Sequence, residues 1–390
     1  MSLLHHQLRR TSFSLSALSR AAHSSGRLAR RLGTSAVSRE QPRASPRVVF
    51  SGIQPTGLPH LGNLLGALLN WVKLQRDAAP DDQLIYSIVG WHALTLPQDP
   101  KALSAARSDM FAVLLAVGLD PKRSIIFHQD ENLHHAELAW ILNCITPVGK
   151  LKRMTTWKSR LATSRNARDE SEIDESLLNA GLFTYPVLQA ADILAYRATH
   201  VPVGEDQQQH IELCRDLADS FNRTFKTKES KKLFPLPQHV ITSSCRVLSL
   251  KDPSSKMSKS SPDVNSRIVL TDPPAKVRSK IRGAVTDSTR GITYDPETRP
   301  GAANLLAILA ACTDEDVLAV AERYASKDHG QLKADVADAV EELIKGPRAE
   351  FERLHVEKQY LAGIAQEGAE KARHLTEVTI REVRARIGLV

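Results

Sequence analysis

Two groups of side chains in this 390-residue sequence have the types and spacing to handle a polyphosphate. The first is His60-Leu61-Gly62-Asn63, standing after a loop that holds Gly52, Pro55, Gly57 and Pro59. Glycine lets backbone approach an anion closely, and a helix start offers unpaired N–H groups and the positive end of a dipole. The second is Lys256-Met257-Ser258-Lys259-Ser260, in a serine-rich stretch with a proline on either side. Two lysines on such a loop can fold over a polyphosphate and place positive charge where negative charge develops. Each group has a plainer reading: His60 suits a helix cap, and the lysine stretch suits a solvated surface loop. Neither the P-loop string nor the dinucleotide-binding GxGxxG stands near either group.

The elements around these groups alternate. Val48-Val49-Phe50 has strand length, and Leu61, Leu65, Leu68, Leu69 and Val72 then repeat as one helix face. Strands are expected at 83–89, 124–127, 199–203 and 246–250, and helices at 100–117, 134–143, 177–196 and 207–225. Pro186 is expected in the first turn of its helix or at a kink. Residues 161–176 read as a polar surface insert, and 226–245 as an excursion from the sheet. Alternating strands and helices predict a Rossmann-like α/β domain, a parallel sheet covered on both faces, whose ligands bind beyond the C-terminal strand ends. Gly204-Glu205-Asp206 follows one such end. From about residue 296 to 390 the pattern is helical throughout, giving a boundary near 295.

Charge is unevenly placed. Residues 1–47 carry nine Arg, no Lys and one acid, Glu40, so the net charge of +8 resides there and residues 48–390 sum to zero. Residues 1–46 have the Arg- and Ser-rich, acid-poor composition of a mitochondrial targeting segment, the alternative being a basic RNA-binding arm. No apolar run approaches the about 18 residues a membrane helix needs. Cys144, Cys214, Cys245 and Cys312 show no CxxC spacing, which suits reduced, mostly buried thiols rather than a metal site or disulfide framework.

The pairing of the His60 element with the 256–260 loop, 196 positions further on, resembles the class I aminoacyl-tRNA synthetases. Residues 51–57 (SGIQPTG), 185–194 (YPVLQAADIL) and 203–213 (VGEDQQQHIEL) are similar to the tryptophanyl branch of that family, and the resemblance spans roughly 48–390. It implies a Rossmann-like catalytic domain over 47–295 and a helical anticodon-binding domain over 296–390. It implies ATP, as its Mg²⁺ complex, together with L-tryptophan and tRNA(Trp) as partners, no dedicated metal site, a homodimer, no membrane, and a mitochondrial matrix location.

The resemblance also carries residue roles. His60, Gly62 and Asn63 would cradle the ATP phosphates, with Gln54, Pro55 and Thr56 beside them. Lys256 and Lys259, in their loop with Met257, Ser258 and Ser260, would hold the departing pyrophosphate. Val247 would sit by the adenine, and Gly204, Glu205 and Asp206 near the ribose and adenylate. Asp192 would accept the indole N–H, Phe50 would line the indole pocket, and Tyr185 and Gln207 would position the amino group. His92 follows a strand end and is expected beside the site. Three features depart from the common pattern: Asn63 ends the first signature, Gly90-Trp91 stands where relatives usually show Asp and another residue, and Gln189 stands where bacterial relatives often have Met. A tyrosyl ligase of the same fold, a small-molecule nucleotidyltransferase and a non-catalytic RNA-binding relative are the competing readings.

Overall fold

The computed structural model describes residues 45–154, 156–165, 176, 178–204, 207–227, 232–241, 246–259 and 261–390. Residues 1–44 of the segment expected to be a targeting sequence, most of the polar insert, Cys245, Glu205, Asp206 and Ser260 lie outside them. β1 (Val48–Ile53) leads through the glycine loop into α1 (Leu61–Asn63), a π-turn (Leu64–Leu68) and α2 (Leu69–Asp77). Next come β2 (Gln83–Ile88), α3 (Gly90–Ala93), α4 (Pro100–Ala116), β3 (Ile125–His128), α5 (His134–Cys144), α6 (Val148–Lys152) and α7 (Thr156–Arg165). α8 (Ala180–Ala195), β4 (His200–Val203), α9 (Gln208–Thr224) and β5 (Gln238–Ile241) complete the sheet. The chain ends in α10 (Pro274–Arg282), α11 (Pro300–Thr313), α12 (Val317–Tyr324), α13 (His329–Val356) and α14 (Lys358–Ile387).

The five strands are parallel, in the order β3-β2-β1-β4-β5. Successive side chains on a strand serve opposite faces, and the cores follow that alternation. Val49, Leu84, Tyr86, Ile88 and Ile126 enter one core, while Phe50, Ile85, Phe127 and Val201 enter the other. Chain order changes direction at β1, which therefore delivers its loop to the crevice where such folds bind ligands.

Four expectations change. Residues 226–245 are not wholly an excursion, since 238–241 form the edge strand β5. Residues 246–250 do not join the sheet. They form a short antiparallel pairing with the lysine loop, in which Met257 N–H donates to Val247 O at 3.1 Å and Ser249 N–H to Ser255 O at 2.9 Å. Of the two expectations for Pro186, the first turn is excluded, since it sits well inside α8. The apolar face after His60 is broken by the π-turn, and Trp71, not Val72, is its fully buried continuation. Among the described cysteines, Cys214 is buried, Cys312 half-buried and Cys144 exposed, and none of the three is in a disulfide. No helix among the described residues is long and apolar enough to cross a membrane.

Candidate active site

His60 caps α1. Its Nδ1 accepts the Asn63 N–H at 3.3 Å, and Asn63 Oδ1 accepts the His60 N–H at 3.2 Å. An accepting Nδ1 puts the imidazole proton on Nε2. Burial, aided by Lys259, Lys256 and Arg267, lowers this histidine to about 4, so it is a neutral N–H donor at neutral pH. The cap reading and the phosphate reading are compatible, because they use different nitrogens. The helix-start amides divide in the same way. Leu61 N–H goes to Ile268 O at 2.8 Å and Leu64 N–H to His60 O at 3.1 Å, whereas Gly62 N–H has no partner among the described residues. A side chain at Gly62 would meet the His60 ring at 3.0 Å and Val247 at 3.5 Å, so glycine admits both neighbours.

The lysine loop stands over this element. Lys259 Nζ donates to Gly57 O at 2.7 Å and to the carbonyl and hydroxyl oxygens of Thr56, both at 3.3 Å. Gly57 turns its carbonyl through a positive φ of 87°. Burial, with Arg267, pulls Lys259 down to about 8. Lys256 is exposed, Ser258 is half-buried, and the Met257 side chain is buried and anchors the loop. His60 pairs with Val269 as an antiparallel bridge, which brings the segment after the loop directly against the helix start. Buried Asp272 fixes that segment: it accepts from Val269 N–H at 3.0 Å and pairs with the buried Lys280.

A cavity of about 270 Å³ opens beside the His60 element. Phe50, Gln54, Tyr185, Asp192, Gly204 and Gln207 line it, as do His92, Gln189 and Arg160. Buried Tyr185 donates its hydroxyl to Thr156 Oγ1 at 2.6 Å, with His210 Nε2 at 2.8 Å, and the Arg160 guanidinium lies 4.4 Å from the Tyr185 ring centre. Asp192 is almost fully buried. Its Oδ1 accepts from Gln129 Nε2 and His135 Nδ1, each at 2.7 Å, and its Oδ2 from His92 Nε2 at 2.8 Å. Burial works to raise this carboxyl, but His92 and His135 overcome it and hold it at about 2. A carboxylate has about four acceptor positions. Oδ1 is saturated, whereas Oδ2 has one donor and keeps an acceptor position, on a residue that lines the cavity.

The fold therefore gathers the residues into two adjoining clusters. Phe50, Tyr185, Asp192, Gly204 and Gln207 meet around the cavity, and Thr56, His60, Gly62, Asn63, Val247 and Lys259 meet at the helix start. Gln54 and buried Pro55 lie on the loop between them. Sequence reasoning missed Gln129, His135, Arg160 and the π-turn residues Gly66 and Ala67. A His-His pair opening a helix was the one signal for His135; Gln129 carried none. At Gly90, the place of a Cβ lies 2.6 Å from Asp130 Oδ1, and Asp130 pairs with Arg107. A carboxylate from the neighbouring loop thus occupies the space beside position 90. Among the described residues no group of three His, Cys, Asp or Glu side chains could hold a metal ion.

The model of the family "tRNA synthetases class I (W and Y)" matches residues 42–345. The mitochondrial tryptophan–tRNA ligase of Schizosaccharomyces pombe is 44% identical over 332 residues, covering 83% of this chain and 90% of the relative. Tryptophanyl-tRNA synthetase from Mycoplasma pneumoniae has a TM-score of 0.76 at 33% identity, over 88% of this chain and 98% of that one. The Campylobacter jejuni enzyme, solved with ADP and tryptophan, has 0.69 at 30% identity, over 88% and 100%. The chain belongs to the class I tryptophan and tyrosine tRNA synthetases, and within them to the tryptophan–tRNA ligases.

Proposed function

We propose that the chain activates L-tryptophan with ATP and transfers it to the 3′ end of tRNA(Trp) in the mitochondrial matrix. The observation that carries the substrate is Asp192, whose Oδ2 keeps one acceptor position beside an aromatic cavity. Indole has one N–H donor and no acceptor. A ligand without that donor leaves a buried carboxylate short of a partner, and such polar discrimination is strong.

In the first step the tryptophan carboxylate attacks the α-phosphorus in line, and pyrophosphate leaves. In the second, a ribose hydroxyl of the tRNA attacks the activated carbonyl and releases AMP. The first step calls for positioning and charge more than for an acid or base. Phe50 and Asp192 hold the indole, and Tyr185 and Gln207 orient the amino group. Gly62 N–H and His60 Nε2–H face the phosphates. Lys259 gives up the oxygens of Thr56 and Gly57 for pyrophosphate, joined by Lys256. ATP enters as its Mg²⁺ complex, with the ion on phosphate oxygens and water. Residues 296–390 take the anticodon. Leu94, Leu133, Trp140 and Val148, all strongly exposed, supply an apolar contact for a homodimer.

The test is pyrophosphate exchange and tRNA charging by a chain beginning at Pro46. Exchange is expected with tryptophan and not tyrosine. Lys259→Ala is expected to lower kcat by about 10²–10³, and Asp192→Ala to abolish tryptophan selection. Exchange with tyrosine alone would overturn the substrate assignment.

A further inference from the structure

Behind Asp192, a string of buried hydrogen bonds runs away from the cavity to the C-terminal helix. Ionised Asp192 only accepts, so His135 donates to it from Nδ1. The other ring nitrogen, Nε2, lies 2.8 Å from the Tyr196 hydroxyl. That hydroxyl is also 3.2 Å from Asn132 Nδ2, which is a donor. The amide orientation is consistent, since Asn132 Oδ1 accepts the His134 N–H at 3.3 Å. The Tyr196 proton therefore goes to His135 Nε2, so His135 donates from Nδ1 and accepts at Nε2. Asn132 Nδ2 also donates to Thr376 Oγ1, at 3.0 Å, and Thr376 is a fully buried residue of α14. From Asn132 to Asp192 each proton in the string has one direction, while Thr376 Oγ1 also lies 2.7 Å from His134 Nδ1 and 3.1 Å from the carbonyl oxygens of Ala372 and Arg373.

We propose that Tyr196, Asn132 and Thr376 are positioning residues for tryptophan selection. They hold His135 in one tautomer and one orientation. His135 and Gln129 then saturate Asp192 Oδ1, which leaves Oδ2 fixed toward the indole N–H. Without the Tyr196 hydroxyl, His135 Nε2 is a buried acceptor with no donor, a costly state that imidazole escapes by turning or changing tautomer. Oδ1 then loses one of its two donors, and the carboxylate is free to rotate. Because Thr376 belongs to α14, the seating of the C-terminal helix and the aim of the pocket carboxylate are one event. The proposal rests on the reading of Asp192 as the indole acceptor.

The readout is the ratio of kcat/KM in pyrophosphate exchange for tryptophan over 3-(benzothiophen-3-yl)alanine, which has sulfur in place of the indole N–H. Asp192→Asn is measured first. A collapsed ratio is expected there, and an unchanged one would overturn the acceptor reading and this proposal together. Tyr196→Phe keeps the ring that stacks on Phe50 at 5.4 Å and removes only the hydroxyl. It is expected to lower the ratio about tenfold, through KM for tryptophan, with KM for ATP unchanged. A wild-type ratio in Tyr196→Phe, beside a collapsed one in Asp192→Asn, means that Tyr196 only packs and overturns the proposal. If Tyr196→Phe does not fold, Thr376→Val and Thr376→Ser carry the test. The valine is expected to lower the ratio about threefold and the serine to leave it intact. Equal ratios in the two overturn the proposal.

Discussion

Lys259 in the free protein is bonded to the oxygens of the very loop that it closes over, and burial lowers it to about 8. A phosphate restores the ammonium, so ATP binding above pH 8 must bring a proton with it. KM for ATP is expected to rise about tenfold per pH unit above 8. Calorimetry in buffers of different ionisation enthalpy should then show proton uptake that is absent at pH 7. Stability runs the other way. Between about 8 and the ordinary lysine value of 10.5 the unfolded chain binds more protons at this site, so folding gains as pH rises. Lys259→Arg, which stays charged, should flatten both profiles; unaltered profiles in that variant would assign them to another group. At this scale much of the site was legible. His60 and Lys259 stand in strings whose residue types suit a polyphosphate, and Asp192 was reached through the resemblance carried by residues 185–194. The partners that set their states were not. His135 and Gln129 lie 57 and 63 positions from Asp192, and only the fold brings them to one carboxylate.

Among the elements, α14 shows what local patterning hides. Its apolar positions do not form one clean stripe, because it serves two cores. Leu361 and Ala365 pack in the core on one face of the sheet, and Ala369, Ala372, Ile380 and Val383 in the core on the other. The helix crosses the sheet edge at β3, and Gly368 stands at the crossing. A Cβ there would lie 1.9 Å from the Ile126 carbonyl oxygen, which is backbone and cannot turn aside. Gly368→Ala is expected to cost about 3 kcal/mol, read by urea denaturation. Gly363, in the same helix, has open space around its Cβ position, so Gly363→Ala should stabilise by about 0.5–1 kcal/mol. Similar effects at both positions would contradict the crossing. The strands of β1 to β4 were readable from short apolar runs. β5 was not, since four residues directly after Pro235 and Pro237 give little alternation. The π-turn was invisible because its Leu-Leu-Gly-Ala-Leu suits an ordinary helix equally well.

Across the whole molecule, function and folding divide the chain differently. Residues Pro46–Val390 form one compact unit. The helices beyond residue 295 fill both cores and also reach both halves of the site. Asn304 on α11 grips Leu248 by its N–H at 2.8 Å and its carbonyl at 3.2 Å, which fixes the strand that pairs with the lysine loop. Arg348 on α13 donates to Asp272 O at 2.8 Å, behind the segment bridged to His60. Thr376 on α14 joins the string that ends at Asp192. The boundary expected near 295 therefore does not separate cores; tRNA reading is proposed on its helical side. A chain of residues 46–295 would expose the faces of β3 and α4 against which α14 and α13 pack, and would lose Asn304, Arg348 and Thr376 together. It is expected to melt without a cooperative transition, to be digested rapidly by protease, and to show no tryptophan-dependent pyrophosphate exchange. Removing only the last residues after Ile387 should leave melting and exchange intact. A cooperative melt with exchange activity in 46–295 would mean that the helical segment contributes recognition alone, and that the grips of Asn304 and Thr376 on the site are incidental.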